Sequence, residues 1–439
     1  MVISKKTDNI ILLLSIILMT MALYTRDLLG NNVSKYYFMI LAVAPSILMS
    51  LSSLVYFIFF LFPLTSGLPS NYIFPLLIGL ILIKNSNSFE RGGLYCFLII
   101  VFMEVIHFFV YSFGINWSST IGYLANIFLL CYLVSMRNND IDKQKCLYSF
   151  CFGLAVFLFA IYYITQVSGS IDMLMEEQGR LGNTKSVSDA ERGVMMLNAN
   201  PNGLGFFSIV GVCIVFVLYS VKRMRLWVMV TLSSLYLYVG SLGISRSFFI
   251  CILAMVALFL LFRGGSGRKS SWSRYLVLLV FFAAASFLLL NETSILDAYT
   301  RRFSDSTFKS MGSRTEIFVA YNKYLLDNPE YLLGGTGAVH YGKVIDSIPY
   351  STHNGLQQIV VSYGLIGLIV FFVMTVFAIK RCYKRRNPVF LIPFLIALLY
   401  VQGGQLLNPS NNLYLFIVSF FIMKLSLDDM TPNHLPSKP

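Results

Sequence analysis

Residues 36–84 read YYFMILAVAPSILMSLSSLVYFIFFLFPLTSGLPSNYIFPLLIGLILIK, 49 residues whose only formal charge is the final Lys84. An uncharged apolar run of about 18 residues already marks a membrane span, and this one is long enough for several. The rest of the chain agrees. Of its 439 residues, 57% are hydrophobic and only 12% charged, with a mean hydropathy of +0.72. Soluble domains carry roughly 25% charged residues, and half that fraction cannot coat a water-soluble particle of this size. The composition describes an all-α polytopic membrane protein and excludes disordered, coiled-coil and fibrous classes.

Outside 36–84, runs long enough to cross a bilayer fall at about 10–25, 93–112, 118–135, 146–167, 201–221, 226–244, 246–263, 274–291, 354–379, 388–407 and 410–425. The first follows Lys5 and Lys6 with no small-residue cleavage site before Arg26, so it reads as a retained span. Parity then bears on 36–84. With Lys5 and Lys6 inside, the basic linkers near 84–92 and 136–146 are also inside only if 36–84 makes three short passes. That gives about 14 spans with both termini cytoplasmic; 12 spans is the alternative.

The net charge of +13 resembles a nucleic-acid signal until its distribution is read. Basic residues cluster in short links between apolar runs, as they do in cytoplasmic loops. Under this orientation 21 of the 33 Lys and Arg residues lie inside. Trp117, Trp227 and Trp272 fall at span ends, where interfacial aromatics belong. The seven cysteines all lie in or beside apolar runs, so neither a disulfide framework nor a metal cluster is expected.

The chain therefore divides into an N-terminal bundle (1–167), a first long outer loop (168–200), central spans (201–291), a second long outer loop (292–352), C-terminal spans (353–425) and a cytoplasmic tail (426–439). Loops this long are usually functional or disordered. In the second, Ile317, Phe318, Tyr321, Tyr324 and Leu325 recur at helical spacing, Ser313 and Glu316 form a capping-box pattern, and Pro329 follows. An amphipathic helix over Ser313–Asn328, folded back on the membrane, is expected.

Charges at span ends are candidates for function because each is costly in lipid. Arg246, within Ser245-Arg246-Ser247, is either a functional cation or a snorkelling interfacial one. Glu104 and His107 stand three apart in one span, where they can simply pair with each other. The second outer loop holds Arg301, Arg302, Arg314 and His340 and re-enters the membrane at Ser351-Thr352-His353-Asn354. Arginine forks match phosphate oxygens, and a neutral histidine can take a proton from a sugar hydroxyl. Such a set suits an anionic, membrane-anchored substrate.

These residues resemble a known family. His353-Asn354, nine residues, then Gly364-Leu365-Ile366-Gly367 is similar to the pattern of the O-antigen ligase and polymerase superfamily. The order of other parts is also similar: Asn200-Pro201-Asn202-Gly203, Ser245-Arg246-Ser247, Gly312-Ser313-Arg314, Asn328-Pro329 and Gly334-Gly335-Thr336-Gly337. The likeness covers about 200–370; the first 170 residues match only as strings of spans.

The resemblance implies a GT-C-like membrane glycosyltransferase acting on undecaprenyl-diphosphate-linked oligosaccharide at the outer face of the bacterial inner membrane. It implies Arg246 and Arg314 as diphosphate ligands and His353 as general base. Arg192…Gly203 and Arg301…Gly312 have the Arg-x10-Gly spacing of the family's polymerases, which adds Arg192 and Arg301 as candidates for substrate contact. Asn354 and Glu316 are further candidates. Because a glycosyl diphosphate already carries a good leaving group, arginines can stabilise the departing charge, and neither metal nor other cofactor is expected. The one Asp-x-Asp, Asp140-Ile141-Asp142, lies in a basic cytoplasmic loop. A chain-length regulator is an expected protein partner and nucleic acid is not. Three functions stay open: a polymerase of O-antigen or capsule, a ligase transferring glycan to lipid A–core, and a flippase for the lipid-linked sugar. A transporter should carry paired halves with broken, charged helices, and no internal repeat is visible.

Overall fold

The computed structural model describes residues 4–84, 91–111, 117–135, 141–168, 201–220, 223–243, 245–262, 300, 314–338, 348, 352–384, 388–403, 417–419 and 421–423. Among them all regular structure is helical. Four helices are long and apolar enough to cross a membrane: Lys5–Asp27, Lys143–Tyr163, Asn202–Ser220 and Gly355–Val376. Shorter apolar helices pack around them.

The uncharged 49-residue run divides into three helical segments. After α1 (Lys5–Asp27) come α2 (Lys35–Leu48), α3 (Leu51–Leu61, continued by a 3-10 turn to Gly67) and α4 (Ser70–Lys84). Serines open two of them: Ser34 accepts from the Tyr36 N–H and Ser50 from the Ser53 N–H, the usual N-cap bond. The three run antiparallel, and polar contacts fix their ends. At one end Asp8 of α1 accepts from the Ser50 N–H, the Ser50 hydroxyl and the Ser53 hydroxyl at 2.6–2.8 Å. Lys84 Nζ, at the end of α4, donates to the carbonyls of Ile47 and Met49 at 2.9 and 2.7 Å. At the other end Arg26 donates to the Gly67 carbonyl at 2.7 Å and lies over the Phe38 ring. Three helical segments of alternating direction therefore lie between α1 and Lys84, which shares an end with the start of α1. At a rise of about 1.5 Å per residue each segment is shorter than a full span of about 30 Å.

Further basic residues gather at the Lys84 end. Next come α5 (Arg91–Tyr111), α6 (Trp117–Ser135) and α7 (Lys143–Ser168). The Asp142 N–H donates to Tyr56 of α3, Lys145 lies over the same ring, and Gln144 and Tyr148 both donate to the Arg223 carbonyl. Arg223 begins the turn between α8 (Pro201–Ser220) and α9 (Leu226–Ser241). The start of α8 and the end of α9 therefore lie at the opposite end of the molecule, where α10 (Arg246–Leu261) begins. The expected spans at 274–291 and most of 410–425 lie outside the described residues.

The amphipathic helix is present as α11 (Arg314–Asp327), followed by the short α12 (Pro329–Gly334). Ile317, Tyr321 and Leu325 are buried against Val361. Phe318, expected beside them, is 41% exposed, because a one-residue step turns its side chain about 100° from Ile317 and off the buried stripe. Ser313, half of the expected capping box, lies outside the described residues. The final elements are α13 (Gly355–Lys384) and α14 (Ile392–Tyr400). The run at 354–379 reads as one continuous span, but α13 is kinked at Gly364, which has φ 63° and ψ −163°. A half-helix, 355–363, thus precedes the longer apolar part.

Candidate functional site

Four segments distant in sequence meet at the end opposite Arg223. Pro201 occupies the first turn of α8, where its missing N–H costs nothing. The neighbouring Asn202 carbonyl accepts from the Tyr400 hydroxyl, at the end of α14, at 2.6 Å. The Ser245 hydroxyl, just before α10, lies 3.2 Å from that of Tyr400 and 3.3 Å from Asn202 Oδ1. The Asn-Pro-Asn-Gly and Ser-Arg-Ser segments are thus joined through a tyrosine near the C-terminus. Two residues from Ser245, the Ser247 hydroxyl lies 3.2 Å from where a Cβ on Gly403 would stand, and Arg314 Nη1 of α11 lies 3.1 Å from the same point. A side chain at 403 would displace one or the other. Arg246, the first residue of α10, is half-buried with its Nε inside the protein.

His353 lies within electrostatic reach of Arg314. Burial, and then the Arg314 charge, hold its imidazole below the usual histidine range, so the neutral, proton-accepting form is favoured. Its backbone has φ 45°. Among the described residues no other non-glycine residue has positive φ. Histidine tolerates this left-handed region better than most side chains, and such outliers cluster at functional sites. Asn354 caps the half-helix: its Oδ1 accepts from the Gln357 N–H at 3.0 Å. Gln357 in turn donates to the Phe318 carbonyl at 2.8 Å and to Asn322 Oδ1 at 3.0 Å. This ties α11, which carries Arg314, to the segment that carries His353.

The glycine motifs explain one another. The Gly364 kink leaves the carbonyls of Val361 and Ser362 without their helical donors. They accept instead from the N–H groups of Thr336 and Gly337 at 2.9 and 2.8 Å. The backbones approach so closely that a Cβ on Gly335 would stand 2.3 Å from Ser362 C, and one on Gly364 2.1 Å from the Leu333 oxygen. Both glycines also have positive φ. Beneath this turn lie Glu104 and His107 of α5. Glu104 Oε1 accepts from the Ala338 N–H and from the Tyr363 hydroxyl, each at 2.8 Å. His107 Nε2 donates to the Gly334 carbonyl at 3.0 Å, so that nitrogen carries the proton. The two residues act on the turn, a role beyond the mutual pairing that their spacing suggested.

Of the candidates read from the sequence, Arg314 and His353 are brought together, and Arg246 stands one residue from Ser247 beside them. Asn354 holds the half-helix with its side chain. Glu316 is exposed in the first turn of α11. Arg192, Arg301 and His340 lie outside the described residues. Tyr400 and Gly403 escaped sequence reading because one tyrosine among 26 and one glycine among 30 carry no local mark. No protein family, curated protein or solved structure matches the chain.

Proposed function

We propose that the protein is a membrane glycosyltransferase, a polymerase that moves a growing polysaccharide from undecaprenyl diphosphate onto the next lipid-linked repeat. The observation that carries this reading is the meeting of Arg314 with His353 and Ser247 at the end opposite the basic cluster of Lys84, Lys145 and Arg223. On this reading the basic end is cytoplasmic, as the positive-inside rule favours, and the site faces the periplasm from a bacterial inner membrane. The architecture is then GT-C-like with about 14 or 12 passes, both termini cytoplasmic.

The chemistry is a single displacement. The acceptor sugar hydroxyl attacks the anomeric carbon, His353 takes its proton, and the bond to the diphosphate breaks on the opposite face, giving inversion. Arg314 and Arg246 stabilise the charge that develops on the leaving diphosphate. No covalent nucleophile or metal takes part. Arg192 and Arg301, in the two long loops, would contact the glycan, and a chain-length regulator would act alongside.

Product analysis in a strain lacking the protein tests this. A single repeat unit on lipid A–core is expected. Bare core with lipid-linked polymer accumulating would instead assign the ligase reaction, and loss of all lipid-linked sugar from the outer leaflet would assign a flippase.

A further inference from the structure

The reaction proposed above uses His353, and the Asn354 and Gln357 bonds fix only the start of the broken helix that carries it. The half-helix 355–363 has lost its continuation at Gly364, and its free carbonyls are bound by a glycine turn that belongs to a loop. Both parts of that joint end on one side chain. Glu104 Oε1 holds the turn through the Ala338 N–H and the half-helix through the Tyr363 hydroxyl. The Tyr123 hydroxyl of α6 lies 2.6 Å from that of Tyr363. A tyrosine has one proton to give, so Tyr123 donates to Tyr363 and Tyr363 donates to Glu104, one consistent direction along the chain. His107 grips the other side of the turn at Gly334. Glu104 Oε2 and His107 Nδ1 lie 3.3 and 3.4 Å from where a Cβ on Gly337 would stand, so the turn is seated on both. Glu104 is only 3% exposed. A carboxyl kept so deep among spans is costly unless it does something there.

We infer that Glu104, with Tyr363, Tyr123 and His107, is a positioning clamp that locks the Gly334–Ala338 turn to the half-helix and so holds His353 against Arg314. None of the four needs to touch substrate. Their effect passes through the backbone: Glu104 to Tyr363, then up about two and a half helical turns to the Asn354 cap and His353. This rests on the catalytic reading of His353, but the clamp has a readout of its own.

Glu104→Gln keeps an oxygen able to accept both bonds, whereas Glu104→Leu keeps only the bulk. In the purified full-length protein, amide exchange across 334–338 should speed up by about tenfold or more in Glu104→Leu and stay near wild type in Glu104→Gln. With lipid-diphosphate-linked repeat as substrate, Glu104→Leu should lose about 10²-fold in kcat, the scale of a small misplacement. KM should change by less than about threefold, and Glu104→Gln should restore the rate. Tyr363→Phe, which removes one oxygen, asks the same question should Glu104→Leu fail to fold. Unchanged exchange in Glu104→Leu or Tyr363→Phe, or a Glu104→Gln variant as slow as Glu104→Leu, would overturn the clamp. If wild-type protein makes no polymer from this substrate, the catalytic reading fails, and the exchange result still decides the clamp.

Discussion

In the proposed reaction His353 concentrates the chemistry in one side chain, and its surroundings set the pH at which it would work. A general base must be neutral to accept a proton, and such help is typically worth about 10²–10⁴-fold. An unperturbed histidine titrates near about 6.5; burial and the Arg314 guanidinium both disfavour the charged form here, so the folded value lies lower. The sign follows. The base form persists below the usual range, and activity falls only as pH drops through the lowered value. Arg314→Lys keeps the charge but loses the fork that matches a diphosphate. It should slow turnover while leaving the acid limb in place. Arg314→Gln removes the charge and should move the acid limb of its residual activity upward. His353→Asn, which tolerates the same left-handed backbone, should lose about 10²–10⁴-fold. A normal rate in His353→Asn, or identical acid limbs for wild type and Arg314→Gln, would show that the histidine is structural.

The element that brings these residues together is α11. Its buried stripe, Ile317, Tyr321 and Leu325, was legible as helical spacing; the exposure of Phe318 was not, because five apolar positions were compatible with more than one buried face. Single cysteines at 317 and 321 should resist a membrane-impermeant thiol reagent, while one at 318 should react. Fast labelling at 317 and 321 would mean that the helix does not pack on α13. The kink in α13 belongs to the same lesson. Gly364 looked like one glycine of a motif within a continuous span. Only the arrival of Thr336 and Gly337 at the freed carbonyls reveals why the helix breaks there. Broken backbone is tolerated among spans when other protein groups satisfy it.

At the scale of the whole molecule, the two ends differ in charge and in chemistry. The polar contacts of Asp8, Lys84, Lys145 and Arg223 gather one end, and the arginine–histidine site occupies the other. Reporter enzymes active only outside the cytoplasm, fused after Lys84 or after Asp327, should be silent in the first case and active in the second. Equal behaviour of the two fusions would refute the orientation. Much of this organisation was present in the sequence. The apolar runs, the absence of charge over 36–84 and the clustering of basic links point to a helical membrane protein and to an odd number of segments between the first helix and Lys84, because burial and charge placement follow composition locally. Tertiary structure alone decided the rest. That Tyr400 bridges Asn202 and Ser245, that Gly403 leaves room for Arg314, and that Glu104 reaches across 234 residues to Ala338 depend on which helix ends meet. No local pattern encodes such contacts, since each is a single hydrogen bond or a missing methyl group whose meaning exists only once its partner arrives from elsewhere in the chain.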